Sequence, residues 1–183
     1  MPVTIGAKLE SDFNDPIGLL GDCHRRIERF LGVISAVAEQ TGGGTLEDEQ
    51  RRALGAALRY FRESAPRHMA DEEESLFPQL RASGDARAIE ALDRLEEDHQ
   101  AVTAWHAELE GLGGRWLTAG KLKAREFEYF AATIARLQKA YAPHIALEDD
   151  EVFPQARNLL TRDQIRIIGE EMARRRGMAA SRG

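Results

Sequence analysis

The sequence contains one thirteen-residue pattern twice, first as HMADEEESLFPQL at residues 68–80 and again as HIALEDDEVFPQA at residues 144–156. Each copy begins with a histidine that is followed four positions later by a glutamate, and each copy continues into Phe-Pro-Gln. In an α-helix, residues four positions apart lie one above the other on the same face. Each copy therefore predicts a helix that presents an imidazole and a carboxylate on one side.

Two more histidines repeat along the chain with nearly the same spacing. His24 and His99 are 75 residues apart, whereas His68 and His144 are 76 residues apart. The chain thus divides into two halves, and each half has the order histidine, histidine, glutamate. This arrangement predicts one metal site with two-fold pseudo-symmetry. Its candidate ligands are His24, His68, Glu72, His99, His144 and Glu148.

Hydrophobic periodicity predicts helices along most of the chain. Apolar residues recur at intervals of three and four positions in five stretches, and no stretch shows the alternation of a convincing strand. The glycines at residues 42–44 are expected to end the first helix, and those at residues 111–114 the third. The predicted helices cover, to within a few residues, 15–40, 46–80, 86–112, 118–153 and 161–175.

These stretches predict an all-α fold, namely an antiparallel up-down-up-down four-helix bundle with a short C-terminal fifth helix. Counted from the connecting turns, the four candidate histidines fall at similar heights on four helices and can meet in one layer. The length of 183 residues predicts a single domain, residues 1–183. We expect the bundle at about residues 15–160 and a C-terminal helix and tail at 161–183, mobile after Gly177.

Four prolines lie close to the repeated pattern. Pro66 and Pro143 each stand just before a candidate histidine. A proline inside a helix removes a hydrogen bond and bends the helix, so we expect each to form a kink that directs the following histidine inward. The alternative is that the helix ends and restarts there. Pro78 and Pro154 are expected to bend or end their helices.

Composition narrows the classes of function. The net charge is −6 at pH 7 and only one cysteine, Cys23, is present. An acidic chain lacks the basic stripe of a nucleic-acid-binding protein, and a single cysteine fits a reducing compartment. No apolar run approaches the roughly 18 residues that span a bilayer, and residues 1–13 lack a signal-peptide pattern. We therefore expect a soluble, cytoplasmic protein whose partner is neither nucleic acid nor a membrane.

The candidate site combines imidazoles with carboxylates and contains no thiolate. A single histidine on an apolar helix face is usually a core residue, but six polar groups in core-facing positions are costly unless a cation compensates them. This ligand set suits iron, manganese or zinc. Six ligands exceed the needs of one tetrahedral zinc and favour two ions, each with two histidines, bridged by the two glutamates.

The whole pattern resembles the hemerythrin HHE cation-binding family over about residues 15–160, whereas the Glu-x-x-His order of ferritin-like proteins does not match. The resemblance implies a bundle that holds two non-haem irons, Fe2+ or Fe3+, with or without an oxo or hydroxo bridge. Zinc and manganese are alternative occupants. By position, it implies His24, His68, His99 and His144 as ligands and Glu72 and Glu148 as bridges.

One departure bears on function. Oxygen-carrying hemerythrins have a second histidine four residues after the helix-three ligand, where this chain has Thr103. His106 lies about 10 Å further along the helix axis than His99, which is too far for it to serve as that second histidine. The helix-four carboxylate is also Glu148, where the carriers use an aspartate with a longer spacing. The set of four histidines and two glutamates resembles the branch that includes bacterial iron–sulfur repair proteins and the iron-sensing domain of an F-box protein.

This branch implies open iron positions that handle dioxygen, peroxide, nitric oxide or ferrous iron, so that the partner is a small diatomic molecule or peroxide. The first alternative is an iron or oxygen sensor, or a reversible oxygen-binding protein without catalysis. The second is a structural bundle filled with zinc, because the same ligands accept zinc.

The remaining polar residues receive weaker assignments. Glu28 and Glu151 share helix faces with candidate histidines and are possible additional ligands or outer hydrogen-bond partners. Cys23 is expected to be an ordinary thiol. Residues expected to be solvated surface charges are Glu73, Glu74, Asp98, Asp149 and Asp150, and residues expected only to pack are Trp105 and Trp116.

Overall fold

The computed structural model of the protein describes residues 11–178, and every regular element in this range is helical, which confirms the all-helical prediction. From residue 179 onward, the tail that we expected to be mobile lies outside the described residues. Two of the elements, π1 and π2, are short π-helical turns. The elements are α1 (Pro16–Thr41), α2 (Asp48–Glu63), α3 (Ala65–Asp71), π1 (Glu72–Leu76), α4 (Phe77–Ala82), α5 (Ala86–Ala119), α6 (Ala124–Leu147), π2 (Glu148–Val152), α7 (Phe153–Leu159) and α8 (Arg162–Arg175).

The long helices enclose a common interior. α5 packs against α2 and α6, and α1 packs against the same two helices, so helices that follow each other in the chain are also neighbours in space. The C-terminal helix α8 contacts α1, α3 and π1. Within residues 11–178, no helix combines the length and the apolar character that crossing a membrane requires.

Two hydrophobic clusters fill the interior, and the candidate ligands fall between them. On α1, His24 stands between Leu20, which belongs to one cluster, and Ile27, which belongs to the other. α5 repeats this arrangement, with His99 between Leu95 and Val102. The fold therefore places one polar layer between two apolar ones, where an uncompensated charge is expensive.

The repeated pattern adopts a π-helical turn in both copies. The backbone N–H of Phe77 donates to the carbonyl of Glu72, five residues back, and Phe153 donates to Glu148 in the same way. A proline follows each turn, and a proline ring crowds the carbonyl four residues before it. The wider π turn relieves this crowding. Such turns are rare and occur frequently at functional sites.

The two prolines that precede the candidate histidines behave differently. α2 ends at Glu63 and α3 begins at Ala65, with Pro66 in its first turn, so the helix restarts here and the predicted kink in a continuous helix is wrong. The first turn tolerates proline because its N–H groups have no helical acceptor. By contrast, α6 continues through Pro143 to Leu147.

The predicted end of the third helix at residue 112 is also wrong, because α5 continues to Ala119. Gly113 lies inside the helix, where a Cβ atom would stand 2.5 Å from Cδ1 of Leu58 on α2. This glycine allows two helices to approach closely and does not terminate one. The helix ends at Gly120, whose φ of 79° is in the left-handed region that glycine adopts at no steric cost.

Candidate metal centre

Glu72 lies where three helical segments meet. It is the first residue of π1 and its side chain is fully buried. Its Oε1 lies 3.2 Å from Nε2 of His68 and 3.9 Å from Nε2 of His24. Its Oε2 lies 3.4 Å from Nε2 of His99. One carboxylate therefore faces imidazoles from α1, α3 and α5.

Glu148 takes the corresponding position in the second copy, as the fully buried first residue of π2. Its Oε2 lies 3.0 Å from Nε2 of His24 and 3.3 Å from Nε2 of His144. The structure thus brings together all six residues that the sequence singled out, and none of them is more than 5% exposed. That they bind metal stays a prediction.

The histidines form two pairs. The ring centroids of His24 and His68 are 5.1 Å apart, and those of His99 and His144 are 4.9 Å apart. Potential ligand atoms of the first pair lie within 4.8 Å of one another and of both glutamates, and those of the second pair lie equally close to Glu148. Glu148 is therefore common to both groups, which is the placement that a bridging carboxylate requires.

The chemistry of these atoms fits a cation. Among the described residues, both carboxylate oxygens of Glu72 and of Glu148 are buried without a hydrogen-bond donor. Nε2 of His24 and Nε2 of His99 are also buried and have no hydrogen-bond partner. Buried polar atoms without partners are costly, and buried charges are normally paired or coordinate a metal. Imidazole and carboxylate together suit iron, manganese or zinc. The site has the donors, the burial and the unmet bonding capacity of a metal centre.

A second set of carboxylates holds three of the histidines from behind. Nδ1 of His24 lies 2.8 Å from Oδ1 of Asp149, and Nδ1 of His99 lies 2.8 Å from Oε1 of Glu73. Nδ1 of His144 lies 3.3 Å from Oδ2 of Asp98. If each Nδ1–H donates to its carboxylate, each Nε2 is left with a lone pair directed at the buried glutamates. No such partner exists for Nδ1 of His68, which is buried and lacks a hydrogen bond among the described residues.

The expectation that Glu73, Asp98 and Asp149 are simply solvated charges is therefore wrong. Their side chains are 42%, 48% and 41% exposed, but each also contacts a buried imidazole from another helix. The repeated pattern carried part of this signal, since an acidic residue follows the glutamate in both copies. In a regular α-helix that residue would turn about 100° away, whereas the π turn allows two successive carboxylates to serve two histidines.

Burial and neighbouring charges shift the pKa values of the site in opposite directions. Burial lowers the pKa of His24, but the nearby carboxylates of Asp149 and Glu148 outweigh burial and raise the pKa to about 9. Burial, together with the charge of Glu148, raises the pKa of Glu72 well above its usual range. Burial also raises the pKa of Glu148, yet His144 and His24 overcome it and lower the value below the usual range. The two glutamates therefore differ electrostatically.

We expect Asp149→Asn to weaken metal binding about 10- to 100-fold. The carboxylate of Asp149 fixes the orientation of the His24 ring and raises its basicity, and both effects are lost when its charge is removed. Isothermal titration of the metal-free protein with zinc measures this change. Asp150→Asn is the matched control, since Asp150 is the next residue, is exposed and removes the same charge. Equal affinities for the two variants would contradict the assigned role of Asp149.

The other candidates do not join the two ligand groups. Glu28 and Glu151 are exposed and belong to neither group, so the structure does not place them as additional ligands. Thr103 is also exposed, and its hydroxyl donates to the carbonyl of His99 at 2.7 Å. The Cys23 thiol is buried and accepts a hydrogen bond from Nη2 of Arg26 at 3.7 Å.

His106 is buried in the hydrophobic cluster next to the site. Its Nε2 lies 2.7 Å from the hydroxyl of Tyr141, and its ring stacks on Phe61 at a centroid distance of 4.8 Å. Burial raises the pKa of Tyr141 and lowers that of His106 to about 4. The phenol therefore donates to a neutral imidazole, and His106 stands outside both ligand groups, as its spacing predicts.

A pH dependence follows for His106. Its pKa is about 4 in the folded protein and about 6.5 in an unfolded chain, so its neutral form stabilises the fold fully above pH 6.5. This contribution, about 3 kcal/mol, is lost as the pH falls from 6.5 towards 4. In NMR spectra of the zinc-loaded protein, the Cε1–H signal of His106 should not titrate above pH 5. A midpoint near pH 6.5 would contradict the buried hydrogen bond to Tyr141.

Two comparisons with known proteins give matches that extend over most of the chain. The family model described as hemerythrin HHE cation binding domain matches residues 15–156, which include both copies of the pattern and all six candidate ligands. A protein of Haemophilus influenzae, described as uncharacterized, is 28% identical over 168 residues, which cover 90% of this chain and 91% of the relative.

Proposed function

Because the chain belongs to the hemerythrin HHE cation-binding family, we propose that it holds two non-haem iron ions and uses them for redox chemistry on dioxygen, hydrogen peroxide, nitric oxide or ferrous iron. The observation that carries this proposal is the buried layer of four histidines and two glutamates, in which both carboxylates lack hydrogen-bond donors. When bound, two irons supply two exchangeable electrons and open coordination positions.

The pairing of the rings supports a division of the ligands. His24 and His68 would hold one ion and His99 and His144 the other, with Glu72 and Glu148 between them. The carboxylates behind His24, His99 and His144 would orient these rings and strengthen them as ligands. The hydrophobic clusters on both sides of the layer would exclude bulk water.

The position of Thr103 favours redox chemistry over reversible oxygen carriage. It is exposed and its hydroxyl is used by a backbone carbonyl, so α5 offers the site no second ligand at this position. Each ion would then have two histidines and shared carboxylates, and a small molecule could reach either one.

We also propose that α1, the α2–α4 segment, α5 and the α6–α7 segment run up-down-up-down as an antiparallel bundle. Support comes from the packing of successive helices against each other and from short connections such as residues 42–47 and 120–123. This arrangement brings histidines from four segments to one level.

The proposal is tested by loading the metal-free protein with ferrous iron under anaerobic conditions, counting the iron, and recording the visible spectrum as air is admitted. We expect about two irons per chain and an irreversible change to a ferric spectrum. A zinc-loaded sample is the control and should show no visible band. A reversible oxygen-dependent band would instead favour the oxygen carrier or sensor, and failure to retain iron would overturn the proposal.

A further inference from the structure

A buried aspartate joins the end of the chain to the turn that carries Glu72. Asp71 directly precedes Glu72 and its side chain is 0% exposed. Its Oδ1 accepts from Nη1 of Arg175 at 2.7 Å, and its Oδ2 accepts from Nη2 of Arg176 at 2.6 Å. Arg175 is the last residue of α8 and Arg176 follows it directly. Two cations therefore compensate one buried carboxylate, the kind of partner that such a group requires.

Arg175 extends this contact along π1. Its Nε donates to Glu74 Oε2 at 3.0 Å, and its Nη2 donates to Ser75 Oγ at 2.6 Å. The three nitrogens of one guanidinium thus hold three residues, which flank Glu72 or lie in the same π turn. The planar guanidinium is well suited to this role, because its donors have a fixed geometry that a lysine lacks.

The segment held in this way is the one that otherwise lacks support. His24, His99 and His144 each have a carboxylate behind Nδ1, whereas Nδ1 of His68 has no hydrogen bond among residues 11–178. His68 belongs to α3, which leads directly into π1. The contacts from α8 therefore stabilise the side of the site where side-chain orientation is least secured.

The second copy of the pattern differs at this position. Leu147 stands where the first copy has Asp71, and it packs against a hydrophobic cluster. Both π turns carry a carboxylate that contacts a histidine, Glu73 with His99 and Asp149 with His24. The two halves of the site therefore differ in what holds the residue before the glutamate, which is apolar packing in the second copy and the charged end of α8 in the first.

We propose that Asp71, Arg175 and Arg176 form a clamp through which α8 positions Glu72 and His68, so that docking of the C-terminal helix controls how firmly the ion beside His68 is held. The inference rests on the proposed metal site but not on its redox chemistry. The three residues are positioning residues, since none of their atoms belongs to either group of potential ligand atoms.

Breaking the clamp should make the two ions dissociate at different rates. Asp71→Asn keeps the shape of the side chain and removes its charge, and Arg175→Ala removes three donors. In either variant, one ion should dissociate about 10- to 100-fold faster, the usual effect of losing an outer support. The ion held by His99 and His144 should be affected less, because His144 and its partner Asp98 lie on α6 and α5, which make no hydrogen bond to the clamp residues in the described range.

Cobalt(II) provides the measurement, because its visible absorption reports directly on bound ions. Wild type and variants are loaded with two equivalents of cobalt, an excess of chelator is added, and the loss of absorption is followed over time. Arg174→Ala is the matched control, since Arg174 lies on the same helix, is exposed and removes the same charge. Arg175→Lys should give an intermediate rate, because lysine keeps the positive charge but lacks the planar set of donors of the guanidinium.

The outcomes separate the clamp from general stability and from the proposed site. A fast phase that carries half of the cobalt, seen in Asp71→Asn and Arg175→Ala but not in Arg174→Ala, supports the clamp. Acceleration of both ions by the same factor indicates a merely structural role and overturns it, as do unchanged rates. If wild type binds two cobalt ions, the proposed site stands whatever the variants show. If wild type binds none, both proposals fail.

Discussion

The His144→Ala variant is expected to lose most of its bound metal and to be destabilised by about 3–5 kcal/mol, the usual cost of removing one partner from a buried charged pair. Nε2 of His144 lies 3.3 Å from Oε2 of Glu148, and both side chains are buried. Without this imidazole, His24 is the one neighbour of Glu148 among residues 11–178 that lies within 4.0 Å and can balance its charge. Metal content from plasma mass spectrometry and urea unfolding curves measure the two effects.

His68→Ala should behave in the same way, because Nε2 of His68 lies 3.2 Å from the buried carboxylate of Glu72. His106→Ala is the control. It also removes a buried imidazole, but His106 contacts Tyr141 and belongs to neither ligand group, so its metal content should equal that of wild type. Wild-type metal content in both His68→Ala and His144→Ala would refute the assignment of the site.

Metal binding itself should raise the midpoint of thermal unfolding by roughly 10 °C. A ligand that binds only the folded state, at a concentration about 1,000 times its Kd, stabilises that state by about 4 kcal/mol. For a chain of this size, each kcal/mol raises the midpoint by about 2–4 °C. The physical reason is that the cation satisfies the buried oxygens of Glu72 and Glu148, which lack donors.

Circular dichroism melting curves of metal-free protein, with and without zinc, test this expectation. Magnesium is the control cation, because it prefers oxygen ligands and should leave the midpoint unchanged. The double variant His68→Ala, His144→Ala should show no shift with zinc. An equal shift in the double variant would show that zinc stabilises the protein from another site.

The sequence was most informative where its pattern repeats at helical spacing. The pair His68 and Glu72 are four residues apart inside a regular helix, and the π turn begins only at Glu72, so the spacing rule still applied. The π turn itself left no signal in the apolar periodicity. For this reason the inward roles of Glu73 and Asp149 were missed, since a regular helix would turn both side chains away from the site.

Other errors arose where tertiary contacts determine the local structure. Gly113 was interpreted as a helix terminator, but it is required by the close approach of Leu58. The partners Asp71 and Arg175 are 104 residues apart in the chain, and nothing local to either residue indicates the contact. The basic run at residues 174–176 has the composition of an ordinary helix end, yet two of its members compensate a buried carboxylate.

The π turns also separate the winding of the helix from the contacts of the site. Each turn accommodates one residue more than an α-helix would over the same rise. Deleting one residue from 73–76 would therefore restore regular winding, and the N–H of Phe77 would still donate to the carbonyl of Glu72, which would then lie four residues back. Phe77 and Leu80 would stay in their hydrophobic cluster, whereas the side chains of the turn that contact His99 and Arg175 would shift. The additional residue therefore serves the contacts of the centre, and a single deletion should weaken metal binding more than it weakens the fold.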